Sequence, residues 1–163
     1  AKAIIIQNEC LLLIKKHSPE GDYFIFPGGG QERGETLAQT IIRYYGMASR
    51  ISLETESWNI KLSLDSSIYC GLLLNELITN ALKHAFPNER KGKLSIKAAQ
   101  LDGSKYSLLV SDDGVGFKPG FDISKLSSLG LELVQQLTMK LHGEMNISHE
   151  NGTRFKLIFS DGE

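Results

Sequence analysis

Two kinds of hydrophobic spacing divide the chain into predicted strands and helices. Apolar residues in short runs or at every second position predict strands, because successive side chains of a strand point to opposite faces. Apolar residues at intervals of three and four predict helices, because one helical turn takes 3.6 residues. Strands are predicted at 3–6, 11–14, 23–26, 58–64, 94–98, 106–110, 145–149 and 153–159, and helices from Thr36, over 66–85 and over 129–141.

Each predicted helix has an apolar stripe that should face a core. The stripe of the first helix is Leu37, Ile41, Tyr44, Tyr45 and Ala48. The stripe of the second is Leu74, Leu77, Ile78, Ala81 and Ala85. The stripe of the third is Gly130, Leu133, Val134, Leu137 and Leu141, with Gly143 at the position that favours a C-terminal glycine. An antiparallel-rich sheet with helices on one face, a two-layer α/β sandwich, accommodates this order of elements.

Composition and charge narrow the class of protein. The 163 residues carry a formal net charge of −1 and a pI near 6.5, so no global field favours nucleic acid. No apolar stretch approaches the ~20 residues of a membrane span, and the first residues lack a signal-peptide layout. Cys10 and Cys70 lie in apolar surroundings, which favours reduced thiols. We therefore expect a cytoplasmic protein without membrane or nucleic-acid partners.

The polar side of the second helix carries the first candidate site. Glu76, Asn80 and His84 follow at steps of four, with Lys83 beside them, which brings their side chains roughly 6 Å apart on one helix face. Asn80 can offer Mg²⁺ a carbonyl oxygen, and Lys83 can neutralise a phosphate. His84 can contact ribose or phosphate, and Glu76 can act as a general base. The alternative is an ordinary solvated face of an amphipathic helix.

Two later motifs contribute candidate nucleotide contacts. Asp112 has the inward parity of its strand, so its carboxylate needs a buried partner, such as the amine of adenine. Thr153 has the same inward parity on the last strand. Gly114 and Gly116 permit the close approach of a flat ring, although a simple Asp-Asp-Gly turn is the alternative.

The start of the third helix is a candidate phosphate site. Ser128 is a good N-cap, and the N–H groups of Leu129, Gly130 and Leu131 are then free to bind phosphate oxygens. Gly130 would let phosphates come close to the backbone. The alternative is a capped amphipathic helix with a packing glycine.

The order of these motifs resembles the GHKL ATP-binding fold, or Bergerat fold, of sensor histidine kinases and gyrase-type ATPases. The resemblance covers roughly residues 50–163 and rests on the stretches 75–86 (NELITNALKHAF), 112–117 (DDGVGF), 128–131 (SLGL) and 151–155 (NGTRF). It implies ATP and Mg²⁺ as ligands. By resemblance, Asp112 recognises adenine and Asn80 holds Mg²⁺.

The resemblance also assigns the remaining site residues. Lys83 and His84 contact the nucleotide, while Gly114, Gly116, Gly130 and Leu131 border the lid and the phosphates. Glu76 takes the position of the general base in gyrase-type members. The F-box is not evident between residues 117 and 127, and the hairpin with a phosphoacceptor histidine is not found before residue 50. Self-phosphorylation is therefore not expected, and the resemblance implies at most phosphotransfer in trans, to a phosphoacceptor domain and onward to a response regulator.

The first 43 residues instead resemble the start of a Nudix hydrolase. The stretch 26–37 (FPGGGQERGETL) matches, with Gly29, Glu35 and Arg43 at the Nudix spacing. The metal-binding glutamates that should follow are replaced by Tyr44, Gly46 and Met47. We expect no Nudix hydrolysis, because those carboxylates bind the metals that activate water.

The simplest hypothesis is a chimera, with a Nudix-like fragment at 1–46 and a histidine-kinase-type ATP-binding domain at 47–163. The apolar N-terminal part is expected to pack on the sheet as an added layer, or to pair two copies as a homodimer. Three alternatives for the whole chain are a folded chimera without physiological activity, a Nudix-type pyrophosphatase and an anti-sigma-type serine kinase, which shares the ATP fold.

Overall fold

A five-stranded mixed sheet forms the centre of the molecule in the computed structural model. Its strands are β4 (Ile51–Trp58), β5 (Gly92–Asp102), β6 (Lys105–Asp112), β7 (Glu144–Ser148) and β8 (Thr153–Ser160), in the order β4-β5-β6-β8-β7. β4 and β5 are parallel, and the other neighbours are antiparallel. The structure describes residues 3–6, 10–18, 21–25, 35–58, 60, 62–117, 129–149 and 151–161.

One face of this sheet is covered by helices and the other is polar. The helices are α1 (Leu37–Tyr44), α2 (Leu64–His84) and α3 (Leu129–Lys140). Leu94, Ile96 and Val110 are buried in one core with α2, whereas Lys93 and Lys97 alternate with them and are exposed. The two-layer α/β sandwich expected from the sequence is confirmed.

Helix α2 spans the molecule and positions the candidate residues. Ser63 caps its N-terminus by accepting from Ser66 N, and Asp161 at the end of β8 accepts from Ser63 N and Oγ at 2.7 and 2.6 Å. This cap joins the start of the helix to the last strand. The predicted stripe is confirmed, since all five of its members are buried: Leu74, Leu77, Ile78, Ala81 and Ala85.

The predicted stripe of α1 is wrong at its C-terminal end. Tyr44 is 84% exposed, Tyr45 and Ala48 are also exposed, and Ile42 is buried instead. The helix ends at Tyr44 because Gly46 adopts a left-handed φ of 66°. The helical period therefore does not continue to residue 48.

The strand predicted over 58–64 is also displaced. The strand β4 ends at Trp58, and Leu64 is the first residue of α2. Ile60 and Leu62 are buried, although neither belongs to a strand. The alternation of apolar and polar residues continues past β4 because Ile60 and Leu62, in the connection to α2, are also part of the core.

The end of α3 differs from the prediction for Gly143. His142 takes the left-handed conformation, with φ 48°, and its N–H donates to Met139 O. A Cβ on Gly143 would lie 2.8 Å from Leu157 Cδ1 and 2.9 Å from Ile158 O. Gly143 is thus required for a close approach to β8.

The apolar stripe predicted for α3 is wrong at Leu133, which is 38% exposed.

The N-terminal strands form a separate antiparallel sheet. It consists of β1 (Ala3–Ile6), β2 (Cys10–Ser18) and β3 (Gly21–Ile25), in that order. The predicted hairpin and third strand are confirmed, and the turn 7–9 lies outside the described residues. Both β1 and β2 lie against α2, and β2 also approaches α1 and β4. The N-terminal sheet therefore lies mainly against the helical layer and reaches the five-stranded sheet only at its edge strand β4.

The division at residue 46 does not coincide with a break in the core. Leu37, Ala38, Ile41 and Ile42 of α1 belong to the same hydrophobic cluster as α2 and the large sheet. The domain boundary stays a prediction about sequence origin.

Among the described residues, no helix is both long and apolar enough to cross a membrane.

Candidate functional site

Asp112 lies at the last position of β6, beside the first residue of β8. Its Oδ1 accepts hydrogen bonds from Gly114 N at 2.9 Å and from Thr153 N at 3.2 Å. Thr153 is its register partner on β8, and Leu94 is its partner on β5. We call the group Asp112, Gly114, Gly152 and Thr153 the Asp112 corner.

The protonation of Asp112 reflects this partly buried position. Burial raises the pKa of Asp112 above its ordinary value of 3.8, and the hydrogen bonds from Gly114 and Thr153 partly oppose the rise. The neighbouring charge of Asp113 contributes a smaller increase to this pKa. The corner therefore contains a desolvated acceptor that is already oriented by the backbone.

Two positions of the corner must be glycine, because neighbouring atoms leave no room there for a Cβ. A Cβ on Gly114 would clash with Ala85 Cβ and O, and one on Gly152 would clash with Asp112 O. Gly152 also has a φ of 109°, which side chains rarely adopt. Because Ala85 follows the last residue of α2, the Asp112 corner rests directly on the C-terminal end of that helix. Gly116 has a φ of 64° and lies outside the corner, near Gly152 O.

The polar side of α2 carries the four predicted residues. Glu76 and Asn80 are partly buried, and Lys83 and His84 are exposed in the last turn. No hydrogen bond to a described residue occupies the Asn80 carboxamide. Lys83 Nζ lies 6.0 Å from the ring centroid of Tyr45, at the end of α1. Contact of these residues with a nucleotide stays a prediction.

The first turn of α3 lies against Glu76. A Cβ on Gly130 would be 2.5 Å from Glu76 Oε1 and 3.2 Å from Glu76 Cδ. The space beside Gly130 is thus occupied by a carboxylate, although the sequence analysis left it for phosphate. Leu131 is partly buried and packs against the core. Ser128, the predicted N-cap, lies outside the described residues.

Comparison with protein families identifies this arrangement. Residues 66–163 match the family described as histidine kinase-, DNA gyrase B- and HSP90-like ATPase. The chain belongs to this ATPase family. Family members bind ATP, usually with Mg²⁺.

Two similar relatives of this chain are histidine kinases. The chain is 29% identical to the blue-light-activated histidine kinase 2 of Erythrobacter litoralis over 98 residues, which is 60% of this chain and 28% of the relative. It is 35% identical to the sensor histidine kinase PdtaS of Mycobacterium tuberculosis over 86 residues, or 50% of this chain and 17% of the relative. The chain therefore spans less than a third of either relative.

A solved histidine kinase domain has the same fold. The domain of the Erythrobacter litoralis EL346 blue-light activated histidine kinase superposes with a TM-score of 0.70 at 26% identity. The match covers 76% of this chain and 57% of that domain. The GHKL expectation for the fold is confirmed by this match.

Sequence reasoning missed several residues that hold the corner of this ATPase fold in place. Arg90 donates to Asp113 O at 2.7 Å, and Lys93 N donates to Asp113 Oδ1 at 2.7 Å. The sequence carries no signal for this role of Arg90, because a basic residue in a turn after a helix is ordinarily solvated. Gly152 entered the sequence analysis only as part of the stretch 151–155 (NGTRF). The Asn151-Gly152 pair was the available signal, because such a pair is typical of a tight hairpin turn with positive φ values, where another backbone segment can come close to the glycine.

Proposed function

We propose that this chain is the Mg²⁺-ATP-binding catalytic domain of a histidine-kinase-type protein. The observation that carries the proposal is the partly buried Asp112 carboxylate, oriented by two backbone N–H groups. A carboxylate has about four acceptor sites, so capacity remains after these two bonds. The exocyclic amine of adenine is a donor that matches this capacity.

The polar side of α2 supplies the phosphate and metal contacts in this proposal. Asn80 Oδ1 would be a protein ligand of Mg²⁺, which usually keeps several waters and takes its other ligands from the substrate phosphates. Lys83 and His84 would contact the nucleotide from the exposed last turn of the helix. Bound Mg²⁺ would neutralise the charge of the phosphates.

Glu76 is the carboxylate proposed for acid–base chemistry. In a transfer in trans, a histidine nitrogen of a phosphoacceptor domain would form a bond to the γ-phosphorus, and ADP would leave. Glu76 would accept the proton released from the imidazole. Glu76 lies one helical turn before Asn80, the proposed Mg²⁺ ligand, which supports a role near the phosphates.

The N-terminal part is proposed to be a scaffold of Nudix origin, without hydrolase activity. Arg43 donates to both carboxylate oxygens of Glu35 at 2.9 Å, and Thr40 Oγ1 donates to Glu35 Oε2. Glu35 is thus engaged in an ion pair. In the described part of the chain, no three His, Cys, Asp or Glu residues form a cluster that could hold a metal ion. Pyrophosphate hydrolysis of a sugar nucleotide would contradict this assignment.

Calorimetric titration with a non-hydrolysable ATP analogue in millimolar Mg²⁺ tests the proposed function. Saturable binding is expected, and Asn80→Ala should weaken it about tenfold by removing a metal ligand. Asn146→Ala is the matched control, because Asn146 is exposed on the edge strand β7. Absence of binding by the unmodified chain would refute the proposal and would favour a folded chimera without activity.

A further inference from the structure

The turn that follows α2 has an uncommon backbone. Asn88 and Glu89 are consecutive non-glycine residues in the left-handed region, with φ values of 53° and 59°. Arg90 N closes the turn by donating to Pro87 O at 3.0 Å. Residues other than glycine rarely adopt this conformation, and it persists where the surrounding structure requires it. Both residues are exposed, so core packing does not account for it.

The consequence of this turn is the position of the Arg90 side chain. Arg90 Nη2 donates to the backbone oxygen of Asp113 at 2.7 Å. Asp113 is also bound to the start of β5, since Lys93 N donates to its Oδ1 at 2.7 Å and its own N–H donates to Lys93 O at 3.2 Å. Gly92 makes room for this approach, because a Cβ there would lie 2.6 Å from Asp113 Oδ1 and would clash with the Phe86 ring.

These contacts hold the segment that contains the proposed adenine acceptor. Asp113 directly follows Asp112 in sequence, and Val115 N donates to Ala85 O at 2.9 Å on the other side of Gly114. The segment 112–115 is therefore attached at both ends to residues that follow α2. A small displacement of Asp113 would move the Asp112 carboxylate relative to a bound base.

We propose that Arg90 is a positioning residue that fixes the Asp112 carboxylate for recognition of the adenine amine. This inference rests on the proposed function of the site. Arg90 does not need to touch the nucleotide, because it acts through the carbonyl oxygen of Asp113. An arginine suits this role since its rigid guanidinium directs its donors better than the single flexible ammonium of lysine.

The experiment compares Arg90→Ala, Arg90→Lys and Lys91→Ala. Lys91 is an exposed neighbour with the same charge, so Lys91→Ala controls for loss of a positive charge in this turn. Two ligands are titrated, the non-hydrolysable ATP analogue and the triphosphate of purine riboside, which lacks the exocyclic amine. Their ratio of dissociation constants reports on recognition of the amine.

Arg90→Ala should weaken binding of the ATP analogue about fivefold and should reduce the preference over the purine riboside ligand about threefold. Arg90→Lys should restore part of that preference, and Lys91→Ala should leave it unchanged. Equal effects of Arg90→Ala and Lys91→Ala, or an unchanged preference in Arg90→Ala, would overturn the inference.

Amide hydrogen exchange of the ligand-free protein separates this inference from the proposed function. Arg90→Ala should accelerate exchange of the Gly114 and Val115 N–H groups several-fold, while Lys91→Ala should not. Unchanged exchange would overturn the positioning role even if no nucleotide binds. Failure of the unmodified chain to bind nucleotide, with faster exchange in Arg90→Ala, would refute the proposed function alone.

Discussion

The Asp112 corner and the polar side of α2 meet at the end of one helix but are built in opposite ways. In the corner, Asp112 Oδ1 holds two backbone N–H groups at 2.9 and 3.2 Å. On the polar side, Lys83 is exposed and lies 6.0 Å from an aromatic ring, and Asn80 forms no side-chain hydrogen bond to the described residues. Hydrogen bonds within the chain already organise the corner, whereas in the proposed function the polar side of α2 finds its partners in the nucleotide and Mg²⁺. We infer that the corner provides base selectivity and that the polar side provides metal-dependent affinity.

The largest effect is expected for Asp112→Asn. The asparagine oxygen can still accept from Gly114 N and Thr153 N, which turns its NH₂ group towards the adenine amine. Two donors would then face each other, and binding of the ATP analogue should weaken about 30-fold, or about 2 kcal/mol. Calorimetric titration measures this change.

The same substitution at Asp102, in the exposed β5–β6 hairpin, is the matched control. It should leave the dissociation constant unchanged. Asp112→Ala should additionally lower the free energy of unfolding by about 1–3 kcal/mol, because it leaves two N–H groups unpaired. If Asp112→Asn bound the analogue as tightly as the unmodified protein, the corner would not be the base site.

A change of pH should affect ligand binding less than the Asp112→Asn substitution does. The raised pKa of Asp112 means that the folded protein binds this proton more tightly than the unfolded chain. The contribution of Asp112 to stability is therefore fully present below pH 3.8, the ordinary value, and is lost as pH rises through the folded-state pKa. Adenine binding has the opposite dependence, because the amine needs the ionised acceptor.

Adenosine is the suitable ligand for this measurement, since phosphate groups titrate near pH 6 themselves. Its affinity should fall several-fold as the pH is lowered from about 7 towards the range in which Asp112 binds its proton. Asp112→Asn should remove this dependence. A pH profile that is the same in both proteins would show that Asp112 does not contact the base.

The smallest effects are expected at the exposed C-terminal end of α2. Lys83→Gln should weaken binding of the ATP analogue about threefold, with a smaller effect at high salt, because exposed charges are screened. Tyr45→Leu should change it less than twofold, since the ring lies 6.0 Å from Lys83 Nζ, at the limit of a cation–π contact, and Lys83 keeps its charge. Lys105→Gln, in the hairpin far along β6, controls for net charge. Equal effects of Lys83→Gln on ATP and adenosine would contradict the division between the two regions.

The sequence predicted the elements better than their contacts. The α2 stripe was predictable because Leu74, Leu77 and Ile78 face a core from a long, regular helix. The prediction of a strand over 58–64 was wrong, because a partly buried connection can show the same alternation of apolar and polar residues as a strand. The parity of Asp112 on its strand predicted an inward-facing carboxylate, and Asp112 is partly buried in the structure.

The residues that fix the site could not be read from periodicity. Glu76 beside Gly130 is a contact between two helices, and Arg90 reaches Asp113 only through an uncommon turn. Such contacts depend on tertiary geometry. The motifs supplied the residue types of the candidate site, and only the folded structure shows which of these residues are in contact.

The most direct test of the division between the two regions is removal of Mg²⁺ during titration with two ligands. Chelation by EDTA should weaken binding of the ATP analogue at least about tenfold, because Asn80 and the phosphates then lose their shared cation. Adenosine affinity should be unchanged, because the Asp112 corner requires no metal. Equal weakening of both ligands, or no weakening of the ATP analogue, would contradict the account.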